Sequence, residues 1–292
     1  MLIFVPAKQK PQGIVVVGAS GQVGRHVADG LIRAGRRVRA VSRHSRSGPP
    51  GVTPCPADVR DAEAFRSVLP GADGIFLNLP PTLQEQDLAR IGADITEAGI
   101  PITVLLSSDL VRSCPGSVMA ASHQREEAVL GAVLGDSLAV LRPGMFMNND
   151  AAEWSASIRG GGKVIIAFPD ALELPVAPVD IAAAAVAVTA HGHAPHPTRR
   201  ILGPEWLSAR DRVSVLSEVL KRPITVVEVS AAEHVALLAR RLPEPTAQQK
   251  VAMRAAAPRS IADCPDVPLG KERTPYAAWA AANFAAFGVE GR

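Results

Sequence analysis

The segment IVVVGASGQVGRHVADGLIRAGRRVRAVSR, residues 14–43, constrains the fold of this chain most strongly. An apolar run leads into glycines at positions 18, 21 and 24, and a helix-period segment and a second apolar run follow. A strand, a glycine turn, a helix and a strand in this order form the unit that binds the pyrophosphate of a dinucleotide. We predict that Gly18 turns the chain, that Gly21 lets the backbone approach a phosphate, and that Gly24 lets the helix pack closely on the sheet.

The end of the second predicted strand indicates which dinucleotide binds. NAD enzymes usually place an acidic residue there to bind the ribose hydroxyls. This chain instead has Ser42 and Arg43, followed by His44 and Arg46. Because a guanidinium group matches the oxygens of a 2′-phosphate, we predict NADP(H), with Arg43 as the principal contact and Ser42 as a second one. The alternative, that these are solvated loop residues, stays open.

Composition excludes several classes of protein. The chain has 292 residues and a net charge of +3, and its basic residues lack interleaved aromatic ones, so we expect no nucleic-acid partner. Neither a membrane-spanning run nor a signal peptide is predicted. The three cysteines are far apart, which is typical of a reduced, cytoplasmic protein without a cysteine metal site. HGHAPHP, residues 191–197, is predicted to be a loop rather than a metal site. A small-molecule substrate is expected, and a monomer and a homodimer both stay open.

Strand-like and helix-like segments alternate through the first half of the chain. Strands are predicted at 13–18, 37–42, 73–78, 102–107 and 137–142, and helices at 22–35, 61–68, 83–98 and 119–134. Thr82 with Glu85 predicts a capping box for the third of these helices. Continuous apolar strands that alternate with helices predict an α/β fold, a Rossmann-type doubly wound parallel sheet.

The alternation breaks after about residue 143, which predicts a smaller C-terminal α+β lobe. Short strands are expected at 163–168, 199–202 and 224–229. Helices are expected from Val179, after Ser208, after Ser230 and at 275–287. We therefore predict an NAD(P)-binding Rossmann domain over 1–143 and a substrate-binding lobe over most of 144–292. A later return of the chain to the sheet stays open.

Ligands of a doubly wound sheet bind beyond the carboxyl ends of its strands. The cofactor contacts predicted on this basis are Gly18, Ala19, Ser20, Gly21, Gln22, Val23, Gly24, Ser42, Arg43, Asp58, Val59, Asn78, Leu79, Pro80, Ser107 and Pro143. The loop after the fifth strand places soft apolar side chains and amides where a flat substrate would lie. The predicted substrate contacts are Ser108, Met145, Phe146, Met147 and Asn148.

Several segments together carry a family resemblance. GASGQVG, NLPP, LLSS, HQREEAVL and LRPGMFMNN occur in the order typical of the NmrA-like atypical short-chain dehydrogenases/reductases, and the chain resembles that family. The family includes proteins similar to triphenylmethane reductases, NADPH-quinone reductases and the redox-sensing regulator NmrA. VAPVDIAAAAVAV, ILGPEWLS and the terminal helix with Trp279 and Phe284 extend the resemblance through the predicted substrate lobe.

The chain lacks the Tyr-x-x-x-Lys pair with which typical short-chain dehydrogenases protonate a carbonyl oxygen. Its one tyrosine, Tyr276, lies near the C-terminus. We therefore predict an NADPH-dependent reductase that transfers hydride to a small conjugated acceptor, such as a quinone or an enone. His123 is the candidate proton donor and Ser107 a candidate catalytic partner. A regulatory protein that senses NADP(H) without turnover, and a non-redox isomerase or cyclase, are the alternatives.

Overall fold

In a computed structural model, the described residues are 13–43, 50–191, 198–263 and 272–288. Seven strands form one sheet in the order β3-β2-β1-β4-β5-β6-β8. The five pairings that join neighbouring strands from β3 to β6 are all parallel. These strands are β1 (Ile14–Val17), β2 (Val38–Ser42), β3 (Val52–Pro56), β4 (Gly74–Leu77), β5 (Thr103–Leu106), β6 (Leu138–Pro143) and β8 (Thr198–Ile201).

Helices alternate with these strands, which confirms the predicted Rossmann-type fold class. They are α1 (Gly24–Arg33), α2 (Ala62–Ser67), α3 (Glu85–Glu97), α4 (Leu110–Ser113), α5 (Val118–Leu134) and α7 (Pro178–His191). The chain reverses its direction of travel across the sheet between β1 and β4, which lie side by side. A topological switch point of this kind is where open α/β sheets bind their ligands.

The remaining elements form an α+β part. Two parallel strands, β7 (Lys163–Ile166) and β9 (Thr225–Glu228), pair with Lys163 opposite Thr225. The helices are α6 (Asn148–Gly161), α8 (Ala209–Val219), α9 (Ala231–Leu238), α10 (Glu244–Ala256) and α11 (Tyr276–Ala282), and a 3₁₀ turn follows at Phe284–Phe287.

The chain divides into two compact units. The first comprises the described residues within 1–107, 124–141 and 182–199, and the second those within 108–123, 142–181 and 200–292. The first unit's core contains the apolar faces of β1, β4 and α3, where Val15, Ile75 and Ile91 are fully buried. The second unit's core is built around Trp154, Leu216 and Trp279. The domain boundary at residue 143 stays a prediction.

Three helices and a strand were not predicted, and one cap was predicted wrongly. The missed elements are β3, α4, α6 and α10. Helix α3 is capped by Gln84, whose backbone N–H donates to the Asp87 carboxylate at 3.1 Å, rather than by Thr82 and Glu85. The helices expected after Ser208 and Ser230 are present, and both serine side chains form capping boxes at their starts.

Candidate active site

The glycine turn of the first unit begins with a residue that requires glycine. Gly18 has a φ of +75°, and its N–H donates to the Val41 carbonyl at 2.9 Å. The Gly21 N–H donates back to the Gly18 carbonyl at 2.9 Å, so the turn closes on itself before α1 begins. The backbone N–H groups at the start of a helix and its positive dipole end make such a turn a binding site for an anion.

Gly24 has a different role from the predicted one. A Cβ at this position would lie 2.2 Å from the carbonyl oxygen of Gly18 and 2.8 Å from its carbonyl carbon. The close approach is therefore made by the turn itself, which folds back onto the first residue of α1. The third glycine permits the turn to close, rather than the helix to approach the sheet.

The loop after β4 lies directly against this turn. A Cβ on Gly18 would be 3.1 Å from the Asn78 side chain, and one on Gly21 would be 3.4 Å from the Asn78 amide nitrogen. Leu79 is buried, whereas Pro80 is half-buried. The loops after β1 and β4 thus meet at the switch point of the sheet, where the sequence predicts the dinucleotide.

The remaining predicted cofactor contacts of the first unit lie at other strand ends. Ser42 ends β2 and is half-buried, and Arg43 follows it, exposed, in a turn. His44 and Arg46 lie outside the described residues. Asp58 accepts a hydrogen bond from the Arg60 backbone at 3.0 Å, which fixes the loop after β3, and its neighbour Val59 is buried.

Ser107 directly follows β5 and belongs to the first unit. Its side chain is buried, and its hydroxyl donates to the carboxylate of Glu127 on α5. His123 lies one helical turn before Glu127 and is half-buried. Ser107 is therefore held by a carboxylate that orients its hydroxyl, while the catalytic roles of Ser107 and His123 stay predictions.

The second unit contains a cavity of about 580 Å³. Its wall is mostly apolar, with a smaller number of polar and charged groups. Two of its wall segments begin at the ends of strands, one at Ser108, two residues beyond β5, and one at Pro143, the last residue of β6. The apolar wall residues include Leu110, Met119, Met145, Phe146, Leu172, Leu174, Leu202, Trp206 and Met253.

The structure brings three of the five predicted substrate contacts to this cavity. Ser108, Met145 and Phe146 line it. Met147 does not, because it is completely buried in the core of the second unit. Asn148 does not either, since it starts α6 and its side-chain oxygen accepts a hydrogen bond from the indole of Trp279 at 3.1 Å. Asn149 lines the cavity instead.

Charged side chains from α6 and α10 form part of the cavity wall. Lys250 forms an ion pair with Glu153, and the Arg254 guanidinium lies 3.2 Å from the other oxygen of the same carboxylate. Arg254 also lies 3.9 Å from Glu173. Burial, followed by the charge of Arg254, lowers the pKa of Lys250 to about 8.

A second ion pair holds the loop after β5. Asp109 is buried and accepts two hydrogen bonds from Arg200, at 2.6 and 2.8 Å. Both residues line the cavity. Because the pair is bidentate, it fixes the orientation of both side chains. The positive charge of Arg200 balances the negative charge of the Asp109 carboxylate in the wall.

Tyr276, the one tyrosine, belongs to the core and not to the cavity wall. Its hydroxyl donates to Asp150 at 2.8 Å, and Arg212 lies 3.4 Å from the same carboxylate oxygen. Burial, and after it the charge of Asp150, raises the pKa of Tyr276 well above its usual value. The phenol is therefore a structural hydrogen-bond donor.

The charged residues of the cavity wall were not predicted from the sequence. Asn149 and Glu153 lie one turn apart on α6, and Lys250 and Arg254 lie one turn apart on α10. Polar residues spaced by four on a helix usually form a solvated face. In the structure Arg254 is buried and the other three residues are half-buried, which separates them from a solvated face.

Within the part of the chain that the structure describes, no group of three or more histidine, cysteine or acidic side chains could hold a metal ion. None of the described helices combines the length and the hydropathy needed to cross a membrane. The histidines at 192–197 lie outside the described residues.

Known proteins resemble this chain in sequence and in fold. A family model described as NAD(P)H-binding matches residues 18–191. The (4-alkanoyl-5-oxo-2,5-dihydrofuran-3-yl)methyl phosphate reductase of Streptomyces griseus is 33% identical over 95% of this chain and 100% of its own length.

Solved structures of other reductases share the fold. The triphenylmethane reductase of Citrobacter sp., solved with NADP(H), is 18% identical, with 92% of this chain and 99% of that chain covered and a TM-score of 0.71. An NADPH-dependent quinone oxidoreductase of Escherichia coli is 21% identical, with 93% and 99% covered and a TM-score of 0.70.

Proposed function

Because this chain belongs to the NAD(P)H-binding, NmrA-like family of atypical short-chain dehydrogenases/reductases, we propose that it reduces a small, electron-poor, conjugated acceptor with NADPH. The chain is an NAD(P)H-dependent oxidoreductase, and the nature of its acceptor is the proposal. The observation that carries the proposal is the cavity of about 580 Å³, whose mostly apolar wall suits a flat organic molecule.

The residues of the first unit suit the cofactor. The Gly18 turn can bind pyrophosphate, and the adjoining Asn78 loop can contact the ribose or the nicotinamide. The exposed Arg43, which directly follows β2, suits a 2′-phosphate, because its planar guanidinium group matches the phosphate oxygens. When bound, NADPH supplies the hydride.

The name of the Streptomyces relative supports an alkene as the acceptor. It describes a dihydrofuranone ring that carries an oxo group and an alkanoyl group, which is an alkene conjugated with two carbonyl groups. The two carbonyl groups delocalise the charge that hydride addition creates, so this reduction depends less on a strong acid than the reduction of an isolated ketone. The missing Tyr-x-x-x-Lys pair fits such an acceptor.

The direct test is oxidation of NADPH with a panel of acceptors. The panel should contain acyl butenolides with and without a phosphate ester, cyclic enones, quinones and a triarylmethane dye. The saturated acyl lactone is the matched control, because it lacks only the alkene. We expect NADPH oxidation with at least one conjugated acceptor and none with the saturated lactone.

The same experiment separates the enzyme from a sensor. NADPH and NADH binding should be measured in parallel by titration. Tight NADPH binding with no oxidation by any acceptor on the panel would contradict the proposal and favour an NADP(H)-sensing protein. The cavity favours the enzyme, since its space is not filled by side chains of the second unit.

A further inference from the structure

The cavity wall contains few groups that can donate a proton. Neither a tyrosine nor a histidine is among the described residues that line it. The wall also contains the arginines Arg200 and Arg254, but a guanidinium group does not give up a proton in proteins. The thiol of Cys114 and the amine of Lys250 belong to the wall too, and of these two groups only the amine is a cation when protonated, so only Lys250 can both donate a proton and stabilise an anion.

The surroundings of Lys250 hold its ammonium group in place. The Glu153 carboxylate on α6 pairs with Lys250 through one oxygen and with Arg254 through the other. The side chain of Lys250 is 21% exposed and that of Glu153 is 12% exposed, although both belong to the cavity wall. The ammonium group is thus fixed by a partner that is itself fixed, and little water surrounds the pair.

We propose that Lys250 is the proton donor to the reduced acceptor, with Glu153 and Arg254 as positioning residues. This inference rests on the proposed reduction of a conjugated acceptor. It replaces His123, which the sequence favoured and which does not line the cavity.

The proposed step balances. Hydride adds to the alkene carbon β to the carbonyl group, and the alkene π pair moves to form an enolate. The Lys250 N–H bond breaks, and its proton and the enolate electron pair form a new C–H bond at the carbon α to the carbonyl group. The nitrogen keeps the electron pair of the broken N–H bond as a neutral amine. The amine regains a proton from solvent, so one NADPH and one proton are consumed in each turnover. Before the transfer, the ammonium charge also stabilises the developing oxyanion.

The charges around Lys250 determine its pH behaviour. Glu153 and Asp150 face it from α6, Arg254 lies on its own helix, and Glu173 pairs with Arg254. Burial and Arg254 lower the pKa of Lys250 to about 8, against the opposing effect of Asp150. A donor with this pKa is mostly protonated at neutral pH, and kcat should fall as the pH rises through about 8.

Two substitutions of Lys250 separate the effect of its positive charge from the effect of its transferable proton. Lys250→Arg keeps the cation but not a transferable proton, so kcat should fall by about 100-fold or more with little change in KM, and the high-pH limb should disappear. Lys250→Met removes both, and it should also weaken the binding of an acyl tetronate, a stable enolate mimic, measured by calorimetry with NADP⁺ present. Lys163→Met is the matched control, because Lys163 is exposed on β7.

The outcomes are distinguishable. NADPH titration and thermal unfolding establish that each variant is folded and binds cofactor. If Lys250→Met is unfolded, Lys250→Arg and the wild-type pH profile still decide. A folded Lys250→Arg variant whose kcat falls by less than about tenfold, with an unchanged high-pH limb, would overturn the inference while leaving the reductase intact. A wild-type protein that reduces no conjugated acceptor would overturn the proposed function itself, and the role of Lys250 with it.

Discussion

A methyl group added to Gly24 would lie 2.2 Å from the Gly18 carbonyl oxygen, a distance that no folded chain accommodates without moving its backbone. Gly24→Ala should therefore displace the glycine turn or the start of α1. We expect the free energy of unfolding to fall by about 2 kcal/mol or more and NADPH binding to weaken. Urea unfolding and NADPH titration measure the two effects.

The same substitution at Gly131 is the matched control. Gly131 lies inside α5, and a Cβ there would have no atom within 4 Å. Gly131→Ala should raise the free energy of unfolding by about 0.4–1 kcal/mol, because alanine restricts the unfolded chain and favours a helix. Equal effects of the two substitutions would contradict the specific role of Gly24.

Arg43 is the residue expected to select NADPH. Arg43→Glu places a carboxylate where the 2′-phosphate is predicted to bind, so NADPH affinity should fall by at least about 10–100-fold. NADH, which lacks this phosphate, is the matched control ligand, and its affinity should change little. Unchanged NADPH affinity would assign Arg43 to the solvated loop instead.

Single residues differ in how far their role can be predicted from the sequence. The Gly18 turn was predictable because its partners, Gly21 and Gly24, lie within one short segment. Met147 was placed wrongly, because the first turn of α6 rotates it into the core. Lys250 was missed because its partner Glu153 is 97 residues away along the chain.

At the scale of elements, local patterns were predictive where they were strong. The apolar runs of β1, β4 and β5 appear in the structure close to their predicted bounds. Strand β3 was missed because its sequence, VTPCP, contains two prolines. Helix α6 was missed because its sequence ends in glycines and begins within a loop-like pair of asparagines. Tertiary packing of Trp154 and Ile158 overrides that weak propensity.

The capping box of α8 gives a prediction at this scale. The Ser208 hydroxyl accepts from the Asp211 N–H at 3.1 Å, and the Ser208 N–H donates to the Asp211 carboxylate at 2.8 Å. Ser208→Ala should lower the free energy of unfolding by about 1 kcal/mol. Ser214→Ala, an exposed position within the same helix, is the control and should have an effect of only a few tenths of a kcal/mol. A similar loss for both variants in urea unfolding would exclude a specific capping effect.

At the scale of the whole molecule, the cavity depends on the order in which the second unit's segments meet. Its wall draws on residues from 108–119, 143–153, 172–174, 200–206 and 250–258. The residue pattern within one segment cannot show that these five segments meet in the folded protein. The sequence could therefore predict a Rossmann-type fold and a dinucleotide turn, but not the Glu153, Lys250 and Arg254 cluster.

Global stability should depend on pH through His234. This residue of α9 is 3% exposed, and its Nδ1 atom is buried without a hydrogen-bond partner in the described structure. Burial, followed by the charge of Arg254, lowers the pKa of His234 to about 4 from 6.5. Between these values the unfolded chain binds the proton more readily than the folded one, so stability decreases as the pH falls.

The size of this effect follows from the two pKa values. At pH 5, protonation of His234 in the unfolded chain should lower the free energy of unfolding by about 2 kcal/mol relative to pH 7.

His234→Gln removes the titration while keeping a polar side chain of similar size. Urea unfolding of both proteins at both pH values gives the measurement, and the pH 7 comparison separates the effect of altered packing. The free energy of unfolding of the wild type, minus that of His234→Gln, should decrease by about 2 kcal/mol between pH 7 and pH 5. The reason is that only the wild-type protein has a group here that binds a proton more weakly when folded. If this difference is the same at both pH values, His234 binds its proton as readily in the folded protein as in the unfolded chain.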